Sequence, residues 1–375
     1  MTELRWLAVG MVCGAFCVFA VLKWAQRSNR LAQVNERSSH TQPTPSMGGL
    51  GVMAVFLLWL AWEAFQSTHG WTDQLVWLLP VLALTVMGLW DDLRELPRLI
   101  RLVLQAVAVV FLVLGLRHLT GDTTVLVADQ QVMIPGKTHW LLVWPGLIAA
   151  ALGLLWFVNL FNFMDGIDGI AGTQAFLFCL GAQLLSLGIP GWTGEGVWLL
   201  AGALLGFLAF NWPPAKLFMG DAGSQPLGLL IGGLVIYLAA AQILPLVGSL
   251  ILLAGFWFDA TWTLCVRMRS GQKFYQAHRS HLYQRLAQQR GHLWTTTAFA
   301  VFWLLWLLPL AAVAVWLSPT SAFATLSGEN MAIDAGFTSS TFISWIPVVV
   351  AVLPLALACR HFGAGLELEH SLGDS

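Results

Sequence analysis

Residues 140–158 read WLLVWPGLIAAALGLLWFV, a run of nineteen residues without a charged side chain. At a rise of 1.5 Å per residue, a helix of this length crosses the apolar core of a bilayer. Outward from it, proline, glycine and charged breaks divide the chain into eleven such runs, at roughly 4–24, 48–66, 74–90, 100–117, 140–158, 170–188, 196–212, 224–242, 247–266, 294–317 and 342–361. The sequence therefore predicts an all-α, polytopic membrane helix bundle with about eleven transmembrane helices.

The composition agrees with this fold class. Of the 375 residues, 58% are hydrophobic and 10% are charged, whereas about a quarter of an ordinary soluble chain is charged. A formal net charge of −1 creates no global field that would recruit nucleic acid. No internal repeat or low-complexity linker divides the chain, so we expect residues 1–375 to form a single integral-membrane domain.

The basic residues orient the predicted bundle. Eleven crossings place fifteen of the 18 lysines and arginines on one side, and only Arg5, Arg117 and Lys137 on the other. Cytoplasmic loops carry the excess of lysine and arginine. We therefore expect the N-terminus outside and the C-terminus inside.

Acidic residues gather at the predicted inner face. Acids in or beside membrane spans are costly, and they usually face a cavity, a partner or an ion. Four separate helix ends contribute Asp91, Asp92, Glu95, Asp165, Asp168, Asp221 and Asp259. One isolated acid would be explained as a helix cap or an ion-pair partner, but four clusters at one depth favour a functional site.

The segment NLFNFMDGIDG, residues 159–169, gives the most specific local pattern. Asn159, Asn162 and Asp165 recur at helical spacing and share one face. The glycines after Asp165 and Asp168 allow tight turns and a close approach of backbone to a ligand. Packing alone does not explain so many polar groups at the end of an apolar span.

Two other acidic segments are suited to phosphate and magnesium. The adjacent carboxylates of Asp91 and Asp92 repel each other and need a cation, and one of the two is free to act as a base or a support. Mg²⁺ takes oxygen ligands and shares them with phosphates. Asp221 is flanked by glycines just before a predicted helix, whose free N–H groups suit a phosphate oxygen.

The inner loop at residues 267–285 carries only positive charge. Binding of anionic lipid head groups would explain its arginines. His278, Arg279 and His281 are more specific, because an arginine fork matches phosphate and histidine can move a proton. In the first inner loop, Arg37 and His40 are explained equally well by a rigid turn or by substrate contacts.

In this order, these motifs resemble those of the polyprenyl-phosphate N-acetylhexosamine-1-phosphate transferases, which include O-antigen-initiating enzymes and the phospho-MurNAc-pentapeptide translocase. The likeness extends from Arg37 to about Arg285. Its segments are residues 39–49, 91–92, 159–169, 219–224 and 277–286. Glu95 replaces a frequent aspartate, and the loop lacks consecutive histidines, which favours the subgroup that uses simple nucleotide N-acetyl sugars.

The resemblance implies a Mg²⁺-dependent enzyme of the bacterial inner membrane, with Mn²⁺ as the alternative metal and an active site at the cytoplasmic face. Undecaprenyl phosphate would attack a UDP-N-acetyl sugar of the GlcNAc, FucNAc or QuiNAc type. The products would be undecaprenyl-diphospho-sugar and UMP, which begin O-antigen or related polysaccharide synthesis. The implied catalytic residues are Asp91, Asp92 and Asp221, with Asp221 and Asp92 on the metal. The implied substrate-binding residues are Asn159, Asn162, Asp165, Asp168, His278, Arg279, His281, Arg37, His40 and Lys216.

Two alternatives stay open at this point. The pentapeptide translocase of peptidoglycan synthesis belongs to the same superfamily. A membrane transporter belongs to another class, but transporters hold charges near the bilayer midplane and often show repeated halves. The sequence leaves a homodimer open as well.

Overall fold

The computed structural model describes residues 3–28, 31–32, 44–67, 71–120, 123–127, 130–134, 144–189, 191–272, 278–318 and 342–366. Arg37 and His40, two of the predicted substrate contacts, lie outside these residues. Two short antiparallel pairings are described, Leu31–Ala32 with Thr44–Pro45 and Thr123–Val127 with Gln130–Ile134.

Helices make up most of the described chain, which confirms the predicted all-α membrane class. They are α1 (Glu3–Arg27), α2 (Gly49–Gln66), α3 (Thr72–Leu93), α4 (Arg98–Thr120), α5 (Trp144–Met164), α6 (Ile170–Leu185), α7 (Glu195–Asn211), α8 (Asp221–Ala240), α9 (Leu246–Leu252), α10 (Ala254–Arg269), α11 (Leu282–Arg290), α12 (His292–Leu317) and α13 (Ile346–His361). A π-helical turn, Trp303–Leu307, interrupts α12.

Within the described residues, seven helices are long and apolar enough to cross a membrane. They are α1 without its first residue, α2, α3, α4, α5, α8 and α12. Helices α9 and α10 meet at a 76° bend and make an eighth crossing if they form one broken span, and α6, α7 and α13 are shorter apolar helices. The count of eleven stays a prediction.

Helix α1 packs along α7 and reaches the start of α2. Helix α1 runs parallel to α7, because Leu7 lies beside Gly202 and Met11 beside Gly206. Its later residue Val18 packs on the start of α2. The outward N-terminus stays a prediction.

Helix α8 is the central element of the bundle, because 89% of its apolar stretch is buried. It begins at Asp221, three residues before the predicted span 224–242, because a carboxylate from α3 caps it. Helix α5 continues to Met164, six residues past the predicted end at 158, and therefore carries Asn159 and Asn162 within its last turns. The predicted continuous span 247–266 is instead broken at Leu253.

Candidate active site

Three helix ends converge on Asp221. The start of α2 meets the start of α8 at two glycines, because a Cβ atom on Gly49 would lie 2.2 Å from the Cα of Gly223. The Gly49 N–H donates to the Met219 carbonyl at 2.9 Å, which joins the first inner loop to the segment before α8. The end of α3 approaches as closely, since a Cβ on Gly88 would lie 2.2 Å from the Asp221 carbonyl oxygen. Glycine at these positions allows the helices to close around Asp221.

Asp92, at the end of α3, caps the N-terminus of α8. Its Oδ1 accepts the backbone N–H of Asp221 and its Oδ2 that of Ala222, each at 3.0 Å. A carboxylate suits this place because the first N–H groups of a helix lack partners within the helix. Asp92 therefore fixes where Asp221 stands, and its predicted role as a metal ligand stays a prediction.

Asp91 contacts a different group from its neighbour. Its Oδ2 lies 2.6 Å from Nη1 of Arg101 on α4, and its Oδ1 accepts the Leu96 N–H at 2.7 Å. The same Nη1 atom lies 3.5 Å from Oδ2 of Asp221. One guanidinium group therefore stands between two carboxylates, and it is partly open to solvent. In the sequence, Arg101 is only one of the fifteen basic residues on the predicted inner side.

Asp165 follows the last residue of α5. Within the described ranges, its carboxylate has no hydrogen bond or ion pair. Burial, together with the negative charges of Asp221 and Asp92, raises the pKa of Asp165 well above its usual value. An unpaired, half-buried carboxylate beside two others is costly, and a cation would relieve that cost.

Asn162 contacts α8 directly, whereas Asn159 reaches it through Gln105 of α4. Asn162 Oδ1 accepts the Ser224 hydroxyl at 2.6 Å, close to the start of α8. Asn159 lies one turn deeper and donates to Oε1 of Gln105 at 3.0 Å, and Gln105 donates to Gln225 at 2.8 Å. The structure thus places Asn159 in an amide network within the bundle rather than beside the carboxylates.

Asp168 ties the turn after α5 to two other elements. Its Oδ2 accepts the Ala215 N–H at 3.0 Å, and its Oδ1 lies 3.2 Å from Nδ1 of His292 at the start of α12. Thr296 donates to its backbone carbonyl at 2.7 Å. His292 could not be predicted from the sequence, because it is 124 positions away along the chain and carries no local motif. The neighbouring Lys216 is exposed.

The loop before α11 is held by a second buried carboxylate. Asp259 on α10 accepts the N–H groups of Leu282 and Tyr283 at 2.8 and 3.0 Å, so it caps α11 as Asp92 caps α8. Asp259 was predicted to belong with the functional acids, and its observed contacts are those of a helix cap. The Tyr283 hydroxyl donates to the Phe163 carbonyl at 2.8 Å, which brings this loop against the end of α5.

His278, Arg279 and His281 have different surroundings within this loop. His278 Nδ1 lies 3.0 Å from the Ser280 hydroxyl. Burial, then the neighbouring His281 and Arg267, lowers the pKa of His278 to about 3, so it is neutral at pH 7. His281 is buried and its ring stacks on Tyr283 at 5.8 Å. Arg279 is half-buried.

An apolar groove of about 850 Å³ runs along the bundle. Helices α5, α8, α9 and α10 line it, together with the residues just before α13. Phe157 and Trp257 lie on its walls. A space of this kind suits a hydrocarbon chain rather than a polar solute.

Residues 74–239 match the family model of glycosyl transferase family 4. The matched range contains Asp91, Asp92, Asp165, Asp168 and Asp221, whereas the loop with His278 lies beyond it. The decaprenyl-phosphate N-acetylglucosaminephosphotransferase of Mycobacterium tuberculosis is 29% identical over 322 residues, covering 76% of each chain.

The chain is also similar to phospho-N-acetylmuramoyl-pentapeptide-transferases. That of Halalkalibacterium halodurans is 32% identical over 217 residues, covering 55% of this chain and 64% of the relative. That of Moorella thermoacetica is 38% identical over 128 residues, covering 33% and 39%.

Proposed function

The chain belongs to glycosyl transferase family 4, among the polyprenyl-phosphate sugar-1-phosphate transferases, and on this premise we propose its substrates and its site. The proposed donor is a UDP-N-acetylhexosamine and the proposed acceptor is undecaprenyl phosphate. An oxygen of the lipid phosphate attacks the phosphorus that bears the sugar. The bond from that phosphorus to the bridging oxygen breaks, which leaves undecaprenyl-diphospho-sugar and UMP.

One observation carries this proposal. The carboxylates of Asp91 and Asp221 and the guanidinium of Arg101 meet where the α3, α4 and α8 ends lie together, with Asp165 beside them. Phosphoryl transfer needs mainly positioning and neutralisation of charge. Carboxylates for a metal and an arginine fork for a phosphate are the groups that this chemistry uses.

The carboxylates fit a magnesium ion that arrives with its substrate. Within the part of the chain that the structure describes, no three His, Cys, Asp or Glu side chains form a ready metal cage. Mg²⁺ does not require one, because it commonly uses one or two carboxylates, several waters and substrate phosphates. Asp221 and Asp165 would hold it. Asp92 was predicted as the second ligand, but both of its oxygens accept N–H groups of α8, so we assign it to positioning Asp221. When bound, the ion neutralises charge on the diphosphate, and Mn²⁺ accepts the same oxygen ligands.

Arg101 is suited to the lipid phosphate. The Asp91 carboxylate holds one of its nitrogens, and its other N–H groups remain available in a planar fork. A phosphate monoester loses its second proton near pH 6, by analogy with phosphoserine, so the attacking group is mostly ionised at pH 7. Asp91 therefore serves to position Arg101 rather than to remove a proton. The apolar groove would take the polyprenyl chain.

The positively charged loop is suited to the nucleotide. Because His278 is neutral at pH 7, positive charge for the UDP phosphates comes from Arg279 and Lys216. His278 contributes a neutral hydrogen bond, and the buried His281 supports the loop through its stack on Tyr283. Asp168 and Asn162 hold the turn and the helix end that form the opposite wall. The predicted contacts from Arg37 and His40 remain part of the proposal.

The cellular role follows from the acceptor. We assign the enzyme to the bacterial inner membrane with its site at the cytoplasmic face, where UDP-sugars are made, and to the first step of O-antigen or related surface polysaccharide synthesis. A second function, transfer of phospho-MurNAc-pentapeptide, is favoured by the 32–38% identity to two relatives of that name.

A donor panel separates these two functions. Membranes containing the full chain are mixed with undecaprenyl phosphate, Mg²⁺ and one donor at a time, and UMP release is measured. The donors are UDP-GlcNAc, UDP-FucNAc, UDP-QuiNAc and UDP-MurNAc-pentapeptide. We expect release with one of the first three only. Release with the pentapeptide donor alone would establish the second function instead.

A further inference from the structure

The residues after α13 fold back onto the loop that carries His278 and Arg279. The Gly365 N–H donates to the Ser280 carbonyl at 2.8 Å. The Arg285 guanidinium, on α11, donates to the Leu366 carbonyl. Gly365 and Leu366 therefore bind the first and the last residue of the stretch 280–285.

The backbone conformation and close packing at Gly365 strongly favour glycine. Its φ is +86°, a conformation that side chains disfavour. A Cβ atom there would lie 2.7 Å from the Val266 Cβ and 2.8 Å from the Thr263 carbonyl oxygen, both on α10. The segment is thus wedged between α10 and the loop.

Apolar packing fixes the same segment from the other side. Ala364 and Cys359 are buried in one small cluster with Leu282 and Leu286 of α11. This cluster is separate from the main core of the bundle. The segment after α13 therefore packs on α11 through side chains as well as through backbone hydrogen bonds.

Ser280 links Gly365 to His278. Ser280 offers its carbonyl to Gly365, and its hydroxyl lies 3.0 Å from His278 Nδ1. The next peptides are held from the opposite side, because Asp259 accepts the N–H groups of Leu282 and Tyr283. The loop is therefore held between α10 and the segment that follows α13.

We propose that residues 364–366, here called the C-terminal clamp, position the 278–281 loop for the diphosphate of the nucleotide sugar. This proposal rests on the proposed function, which assigns that loop to the nucleotide. Gly365 and Leu366 touch no substrate and act as positioning residues. Small displacements of groups that orient a substrate have large effects on its binding, because the bound geometry is lost.

The test compares two glycines of the full-length chain in membranes. Gly365→Ala adds both a strained φ and a clash, whereas Gly188→Ala adds a strained φ of +82° in open space, away from the site. We expect Gly365→Ala to raise the KM for the UDP-sugar about tenfold, with kcat and the KM for undecaprenyl phosphate changed less than about twofold. Gly188→Ala should leave all three values near those of the parent. If Gly365→Ala and Gly188→Ala had equal KM values for both substrates, the clamp would be overturned.

A second pair of chains covers the case in which Gly365→Ala fails to accumulate. One chain stops after Phe362 and lacks the clamp, and the other stops after Leu366 and keeps it. Only the shorter one should show the raised KM for the UDP-sugar. If the shorter chain matched the longer one, the clamp would be wrong.

Hydrogen exchange separates the clamp from the function on which it rests. The amides of Leu282 and Tyr283 should exchange faster in Gly365→Ala and in the chain that stops after Phe362. Unchanged exchange in both would refute the clamp. Faster exchange with a raised KM for undecaprenyl phosphate alone would support the clamp and refute the assignment of this loop to the nucleotide.

Discussion

The Asp92 carboxylate accepts the backbone N–H of Asp221 at 3.0 Å, across 129 positions of the chain. It accepts the next N–H, that of Ala222, with its other oxygen. Asp92 therefore uses both oxygens to hold the helix that presents Asp221, and the Asp221 carboxylate remains beside Arg101. The two residues look alike in sequence, but Asp92 holds the start of α8, whereas the proposed function assigns Asp221 to the metal.

Asp221→Asn removes one charge at nearly constant volume. If Asp221 binds magnesium, transfer should fall by about a thousandfold while the protein still accumulates in the membrane. The measurement is the rate of UMP release per unit of membrane protein. Asp73→Asn, an exposed acid in the first turn of α3, is the control and should retain the parent rate. A near-normal rate in Asp221→Asn would remove this residue from the site.

Amide substitutions should separate the adjacent pair. In Asp92→Asn only one side-chain oxygen remains for two helix N–H groups, so we expect stability to fall by about 1–2 kcal/mol together with loss of turnover. Asp91→Asn should also abolish turnover by releasing Arg101, but it leaves the α8 cap intact. Thermal unfolding of both variants in detergent tests this difference. Equal melting temperatures would contradict the capping role of Asp92.

The pKa of His278 predicts a pH dependence of stability. The folded protein keeps His278 neutral to about pH 3, whereas the unfolded chain binds a proton below its ordinary pKa of 6.5. The unfolded state then holds more protons, so stability falls as the pH drops below about 6.5. We expect the melting temperature to fall less between pH 7 and pH 5 in His278→Gln than in the parent. Parallel curves would show that folding does not lower the pKa of His278.

Reporter fusions test the predicted orientation. Fusions after Gly70 and Gly121 should report the periplasm, and a fusion after Ser280 should report the cytoplasm. The basis is the excess of lysine and arginine on one side of the predicted bundle. A cytoplasmic signal at Gly121 would overturn the count of eleven crossings.

Sequence periodicity predicted the features that depend on neighbours along one helix. Among the described residues, seven of the eleven predicted apolar runs are helices long enough to cross a membrane, and the shared face of Asn162 and Asn159 followed from helical spacing. The carboxylates at one face followed from the positions of acids at span ends. Each of these inferences needs only local geometry.

Contacts between distant segments could not be predicted in the same way. Asp259 resembled a functional acid, but its partners are N–H groups 23 and 24 residues away. Arg101 is one of many inner arginines in the sequence, and only the fold shows that it stands between Asp91 and Asp221. The pairing of His292 with Asp168 likewise depends on how α12 packs on the turn after α5.

The position of an isotopic label tests the central claim most directly. UDP-GlcNAc, or the donor that the panel selects, carries ³²P in the phosphate attached to the sugar, and is incubated with undecaprenyl phosphate, Mg²⁺ and membranes. Sugar-1-phosphate transfer places the label in the lipid product and releases unlabelled UMP in equal amount, and Asp221→Asn membranes should do neither. Labelled UDP in the aqueous phase with an unlabelled lipid product would mean transfer of the sugar alone, and would contradict the account.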